Sequence, residues 1–132
     1  MKPFKGKIKL TVEKTDTGFS AFGQDHPLFT TGETIPGLIE NALEAAQLYF
    51  EEVGLQPKHE DLQFEIDFQQ FFLYYRVLNA RFLAKKIGMN PTLLSQYVQG
   101  HKKPSEKQTE KILEGIHQIG KELSEINLIQ RR

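Results

Sequence analysis

The sequence predicts an α+β chain: a small β-β-β-α-β domain over residues 1–67, then an all-α domain over residues 68–132. Three observations predict it. Ile8, Leu10 and Val12 alternate with polar residues, as do Leu62, Phe64, Ile66 and Phe68, which is the two-residue period of a half-buried strand. Between them Ile35, Leu38, Ile39, Ala42, Ala46, Tyr49, Phe50 and Val53 follow a helical period, with Glu40, Glu44, Glu51 and Glu52 mostly off that stripe. From Phe68 onward the helical period dominates, punctuated by glycines and helix-capping residues.

The elements follow in order. Thr15-Asp16-Thr17-Gly18 supplies turn residues after the first strand, and Phe19–Gly23 is expected to return as a hairpin. Asp25-His26-Pro27 interrupts the pattern before a short third strand over Leu28–Gly32. Thr34 is a good N-cap, Pro36 suits a first helical turn, and Gly54 and Pro57 end the helix. A fourth strand over 62–69 completes the first domain. Phe68, Phe71, Phe72 and Tyr75 then stand at i, i+3, i+4 and i+7, a buried helix face rather than a stacking platform for bases. Asn79 caps a helix ending at Gly88, and Asn90-Pro91 opens another that ends at Gly100. Two short helices joined by a glycine-containing turn have helix-turn-helix geometry. Ser105 and Gln108 form a capping-box pair ahead of a long last helix.

Composition narrows the classes. The 132 residues contain no cysteine, which excludes disulfides, thiol catalysis and thiolate metal sites and fits a reducing, cytoplasmic setting. The longest apolar run, Phe71–Tyr75, is far short of a membrane span, and Lys2, Lys5, Lys7 and Lys9 break any apolar leader. The formal net charge is zero, yet residues 1–70 carry six Lys against twelve acids, a net of −6. Residues 71–132 carry eleven basic side chains against five acids, a net of +6. Halves so opposed suggest two modules with different partners.

Ile8-Lys9-Leu10-Thr11-Val12-Glu13, Gly18-Phe19, Gly32-Glu33-Thr34 and Glu40-Asn41-Ala42-Leu43-Glu44-Ala45-Ala46 stand in the order found in HicB-type antitoxins. The first domain resembles that family, which implies a partial ribonuclease-H-like, non-catalytic fold that binds a small basic RNA-cleaving toxin. The chain departs from the family before the third strand, where Gln24-Asp25-His26-Pro27-Leu28 replaces a Pro-x-x-Pro-Gly-like stretch. Asp25 and His26 are expected to form a solvated turn, with toxin contact as the second reading.

Ala84 and Gly88, Met89, Leu94-Ser95, Gly100 and Lys103-Pro104-Ser105 carry a second resemblance, to the XRE or repressor-type helix-turn-helix. Where many members place a glutamate, this chain has Val98, with apolar Leu73 as its expected counterpart. The resemblance implies that Pro91, Thr92, Leu93, Ser95 and Gln96 read base edges. Gln96 suits an adenine edge, and Thr92 and Leu93 suit a thymine methyl. Asn79, Arg81, Gln99, Lys102 and Lys103 would lie over phosphates. Ile112, Ile116, Ile119, Leu123 and Ile126 recur at heptad spacing in the last helix. They are expected to contribute to a homodimer or higher homo-oligomer, or to pack back onto their own domain.

Catalytic patterns are weak. Gly115-x4-Gly120-Lys121 approaches a phosphate loop, but Glu122 replaces the magnesium-binding hydroxyl and the stretch lies within a helix. His26, His59, His101 and His117 are dispersed, without metal-ligand spacing. Glu13, Asp16, Asp25 and Glu33 invite comparison with a magnesium-binding nuclease centre, with Glu13 and Asp16 at a hairpin mouth. The expectation is therefore a non-enzymatic protein without cofactor or metal. It would be the antitoxin of a HicA/HicB-like pair, repressing its own operon by binding double-stranded operator DNA, with no membrane partner. The alternative is a stand-alone repressor whose first domain dimerises or senses a ligand.

Overall fold

The computed structural model describes residues 1–129. It mixes α and β, with five α-helices and two small sheets among the described residues, and it divides into compact units Met1–Tyr74 and Tyr75–Arg132.

In the first unit, β1 (Lys2–Pro3), β2 (Ile8–Thr15), β3 (Gly18–Gly23) and β4 (Phe29–Gly32) precede α1 (Ile35–Glu51). β5 (Leu55–Gln56), a 3-10 turn (His59–Asp61), β6 (Leu62–Ile66) and α2 (Phe68–Tyr74) follow. The main sheet runs β4-β3-β2-β6, antiparallel except that β6 lies parallel to β2 with Ile8 opposite Leu62. Ile8, Leu10, Val12 and Ala21 form a core with Leu38, Ala42, Ala46 and Phe50 of α1.

Gly32 sets how closely α1 approaches the sheet, and Gly18 how closely the start of β3 approaches the end of β4. A β-carbon on Gly32 would sit 2.5 Å from the Leu38 backbone nitrogen, and one on Gly18 would sit 2.3 Å from the Gly32 carbonyl oxygen. Thr34 starts the helix, its Oγ1 accepting from the Gly37 N–H at 3.1 Å.

Three features depart from the sequence reading. The two-residue parallel pair of β1 and β5 was not expected. The fourth strand ends at Ile66 rather than at 69, because Asp67 Oδ1 accepts from the Gln70 N–H at 3.1 Å and turns the chain into α2. The unit boundary falls after Tyr74, not after residue 67. Gln70 explains that placement. Its side-chain amide donates to the Lys14 carbonyl at 2.7 Å and accepts from the Lys14 N–H at 2.9 Å, fastening α2 to β2. Tyr74 adds a bond from its hydroxyl to Asp16 at 3.1 Å.

The second unit contains α3 (Ala80–Ile87), α4 (Pro91–Val98) and α5 (Glu106–Ser124). Each start is capped by a side chain: Asn79 accepts from Phe82, Asn90 from Thr92 and Ser105 from Gln108. Gly88 ends α3 with φ +68°, the left-handed conformation a β-carbon resists, and the Met89 N–H returns to the Ala84 carbonyl at 2.9 Å. Leu83, Ala84, Leu94 and Ile112 are fully buried.

Gly115, part of the failed phosphate-loop pattern, has a packing role. A β-carbon there would meet Ile87 Cγ2 at 2.3 Å and Leu83 Cδ1 at 2.9 Å, whereas Gly120 in the same helix faces open space. Gly120→Ala is expected to stabilise the unit by about 0.5–1 kcal/mol through helix propensity. Gly115→Ala gains the same propensity but overpacks, for a net loss of about 1–2 kcal/mol. Chemical denaturation of the two variants checks the opposite signs.

Candidate nucleic-acid interface

Between Asp67 and Glu106 the chain contains no Asp or Glu, while Arg76, Arg81, Lys85, Lys86, Lys102 and Lys103 fall inside that stretch. α4 lies within it. Leu94 and Tyr97 face the core, at 0% and 7% exposure. Helical spacing puts Thr92, Ser95, Gln96 and Gln99 on the opposite side, where Thr92 and Gln99 are exposed and Ser95 and Gln96 half-buried. The outward face is therefore uncharged but rich in hydrogen-bonding groups. Pro91 and Leu93 flank this face rather than lying along it.

The loop after α4 is tied to the same helix. The His101 and Lys102 N–H groups both donate to the Gln96 carbonyl, at 2.9 and 3.3 Å, and Gly100 takes φ +77° to make that turn. Backbone bonding thus places Lys102 and Lys103, both exposed, directly after the polar face of α4. At the start of α3, the Asn79 cap engages Oδ1, and Arg81 is exposed. Sequence reasoning missed Lys85, exposed one turn beyond Arg81, although the i, i+4 spacing was visible. Lys86 is engaged otherwise, in an ion pair with Glu122 of α5 at 2.8 Å.

The heptad seam divides. Ile112 is fully buried in the core of its own unit, so it has no surface to offer a second subunit. Ile116 and Ile119 are half-buried, and Leu123 is exposed near the end of α5. Ile126 is exposed too but lies beyond the helix, which ends at Ser124.

In the first unit, Asp25 is exposed, whereas His26 is half-buried with its ring edge-on to Phe50 at 4.9 Å and beside Tyr49 at 5.8 Å. His26 thus anchors its loop on α1 and is not a solvated turn residue. Among the described residues, no three His, Asp or Glu side chains converge to hold a metal ion, so Glu13, Asp16, Asp25 and Glu33 do not form such a group. Nor is any described helix long and apolar enough to cross a membrane.

Comparison with known proteins adds no relative: no family model matches the chain, and no curated protein matches it.

Proposed function

We propose that α3, the Gly88 turn and α4 form a helix-turn-helix that binds double-stranded operator DNA. In this reading the protein is the antitoxin of a HicA/HicB-like pair. The observation that carries the DNA reading is the outward face of α4, polar and uncharged, within a stretch free of acids. Hydrogen-bonding side chains on a helix suit base edges in a major groove, and carboxylates there would be repelled by phosphates. Arg81, Lys85, Lys102 and Lys103 supply the sequence-independent attraction that positions the helix. Exposed Leu123 and Ile126, with half-buried Ile116 and Ile119, offer apolar surface for a second copy, which a palindromic operator requires.

The antitoxin role draws on the sequence resemblance and on the −6 charge of the first unit, which complements a small basic RNA-cleaving toxin. This reading takes β2, β3, β4, α1 and β6 as the β-β-β-α-β frame and β1 and β5 as additions to it.

Fluorescence anisotropy with a duplex from upstream of the gene tests the DNA reading. Gln96→Ala should change base preference and cost about 1–3 kcal/mol. Lys102→Ala should weaken all duplexes alike and reduce the salt slope by about one unit per subunit. Unchanged binding in both variants would refute this surface. Capture of a neighbouring small basic gene product supports the antitoxin over a stand-alone repressor.

A further inference from the structure

The outward side of α1 carries a surface that DNA binding leaves unused. Opposite its buried stripe, Glu40, Glu44, Leu48 and Glu51 succeed one another at spacings of four, four and three and so share one exposed face. Leu48 is 64% exposed between two carboxylates. Beside it the β1–β5 pair brings Met1 and Leu55 against the helix, and these three apolar side chains line a shallow cleft bordered by Glu44 and Glu51. The wall opposite α1 is fixed by hydrogen bonds to two backbone carbonyls. Lys2 N–H donates to the Gly54 carbonyl at 2.8 Å, and Gln47 Nε2 donates to the Pro57 carbonyl at 3.1 Å.

A lone exposed leucine is ordinary. Here Met1, itself 72% exposed, shares the cleft, and no side chain lining it is basic. The carboxylates repel nucleic acid and anionic lipid, which leaves a cationic protein segment as the complementary occupant. Glu44 and Glu51 are two turns apart, about 10.5 Å along the axis, which a second helix matches with its own two-turn spacing.

We propose that this cleft docks a cationic amphipathic helix of a basic protein. One apolar side chain enters between Met1, Leu48 and Leu55, while Lys or Arg residues on either side of it meet Glu44 and Glu51. The inference rests on the antitoxin reading only for its supplier, which would then be the toxin.

The probe is a fluorescent alanine-rich helical peptide with one leucine and lysines four residues before and three after it, titrated into the full chain. Saturable binding is expected. Leu48→Asp and the pair Glu44→Lys/Glu51→Lys should each weaken it by about tenfold or more, with circular dichroism confirming that the variants fold. Glu33→Lys/Glu60→Lys, an equal charge change at exposed sites outside the cleft, should shift it by less than about twofold. Absence of saturable binding, or equal loss from the two charge pairs, overturns the proposal. In a second arm the wild-type chain is offered the neighbouring small basic gene product. Failure there with peptide binding intact counts against the antitoxin reading and keeps the cleft.

Discussion

Leu94→Ala is expected to cost the helical unit about 2–5 kcal/mol, the range for truncating a fully buried leucine that leaves a cavity behind. Leu94 is 0% exposed and lies in the middle of α4, and Leu83, Ala84 and Ile112 of the same unit are equally enclosed. A unit of this size has a total stability on the order of 3–8 kcal/mol, so one truncation removes much of it. Thr92→Ala, on the opposite side of the same helix, should change stability by less than about 0.5 kcal/mol. Hydrogen exchange of the α3 and α4 amides measures both. Comparable losses in the two variants would mean that α4 has no inward and outward side, and the proposed reading face would fall with it.

Gly32→Ala should destabilise the first unit by about 2–3 kcal/mol, although glycine to alanine within a strand is ordinarily favourable. The added carbon meets backbone: the Leu38 nitrogen at 2.5 Å and its α-carbon at 2.7 Å, neither of which can rotate aside. Relief requires α1 to lift from the sheet, which opens the contacts of Leu38 and Ala42 with Leu10 and Ala21. Urea denaturation followed through the β2–β3 amides reads the loss. A stability equal to wild type would show that α1 does not depend on this close approach. The same geometry accounts for the Gly32-Glu33-Thr34 sequence: the glycine allows contact, and the threonine caps the helix two residues later.

What could be read from the sequence was local. Thr34, Asn79, Asn90 and Ser105 announce helix starts because a cap bonds within three residues of itself. The strand alternation of Ile8–Val12 and the stripe of α1 were visible for the same reason. What escaped was non-local or ambiguous. β1 and β5 have two residues each, too few to show a period, and their pairing spans most of the unit. Phe68 satisfies both the strand alternation before it and the helical stripe after it, and only the Asp67 bond to Gln70 decides between them. In the candidate site, spacing separates Thr92, Ser95, Gln96 and Gln99 from Leu94 and Tyr97, while Pro91 and Leu93 needed the observed core to be placed on its flanks. At Ile112 the seam packs back onto its own unit, the second of its two readings, because spacing shows a stripe but not what covers it.

The position of β2 bears on how the chain folds as it is synthesised. β2 is the longest strand, and it lies between β3, its immediate successor, and β6, whose register sets Val12 against Ile66. The hairpin needs only the first 23 residues, but the other edge of β2 must wait for some forty further residues. Until then Ile8, Leu10 and Val12 belong to an open edge, the kind of surface on which nascent chains associate wrongly. Gln70, by bonding Lys14 on that same strand, closes the last rung once β6 has arrived. The late-made segment 62–70 therefore sets how long the strand stays open, and a ribosomal pause before it would lengthen that exposure.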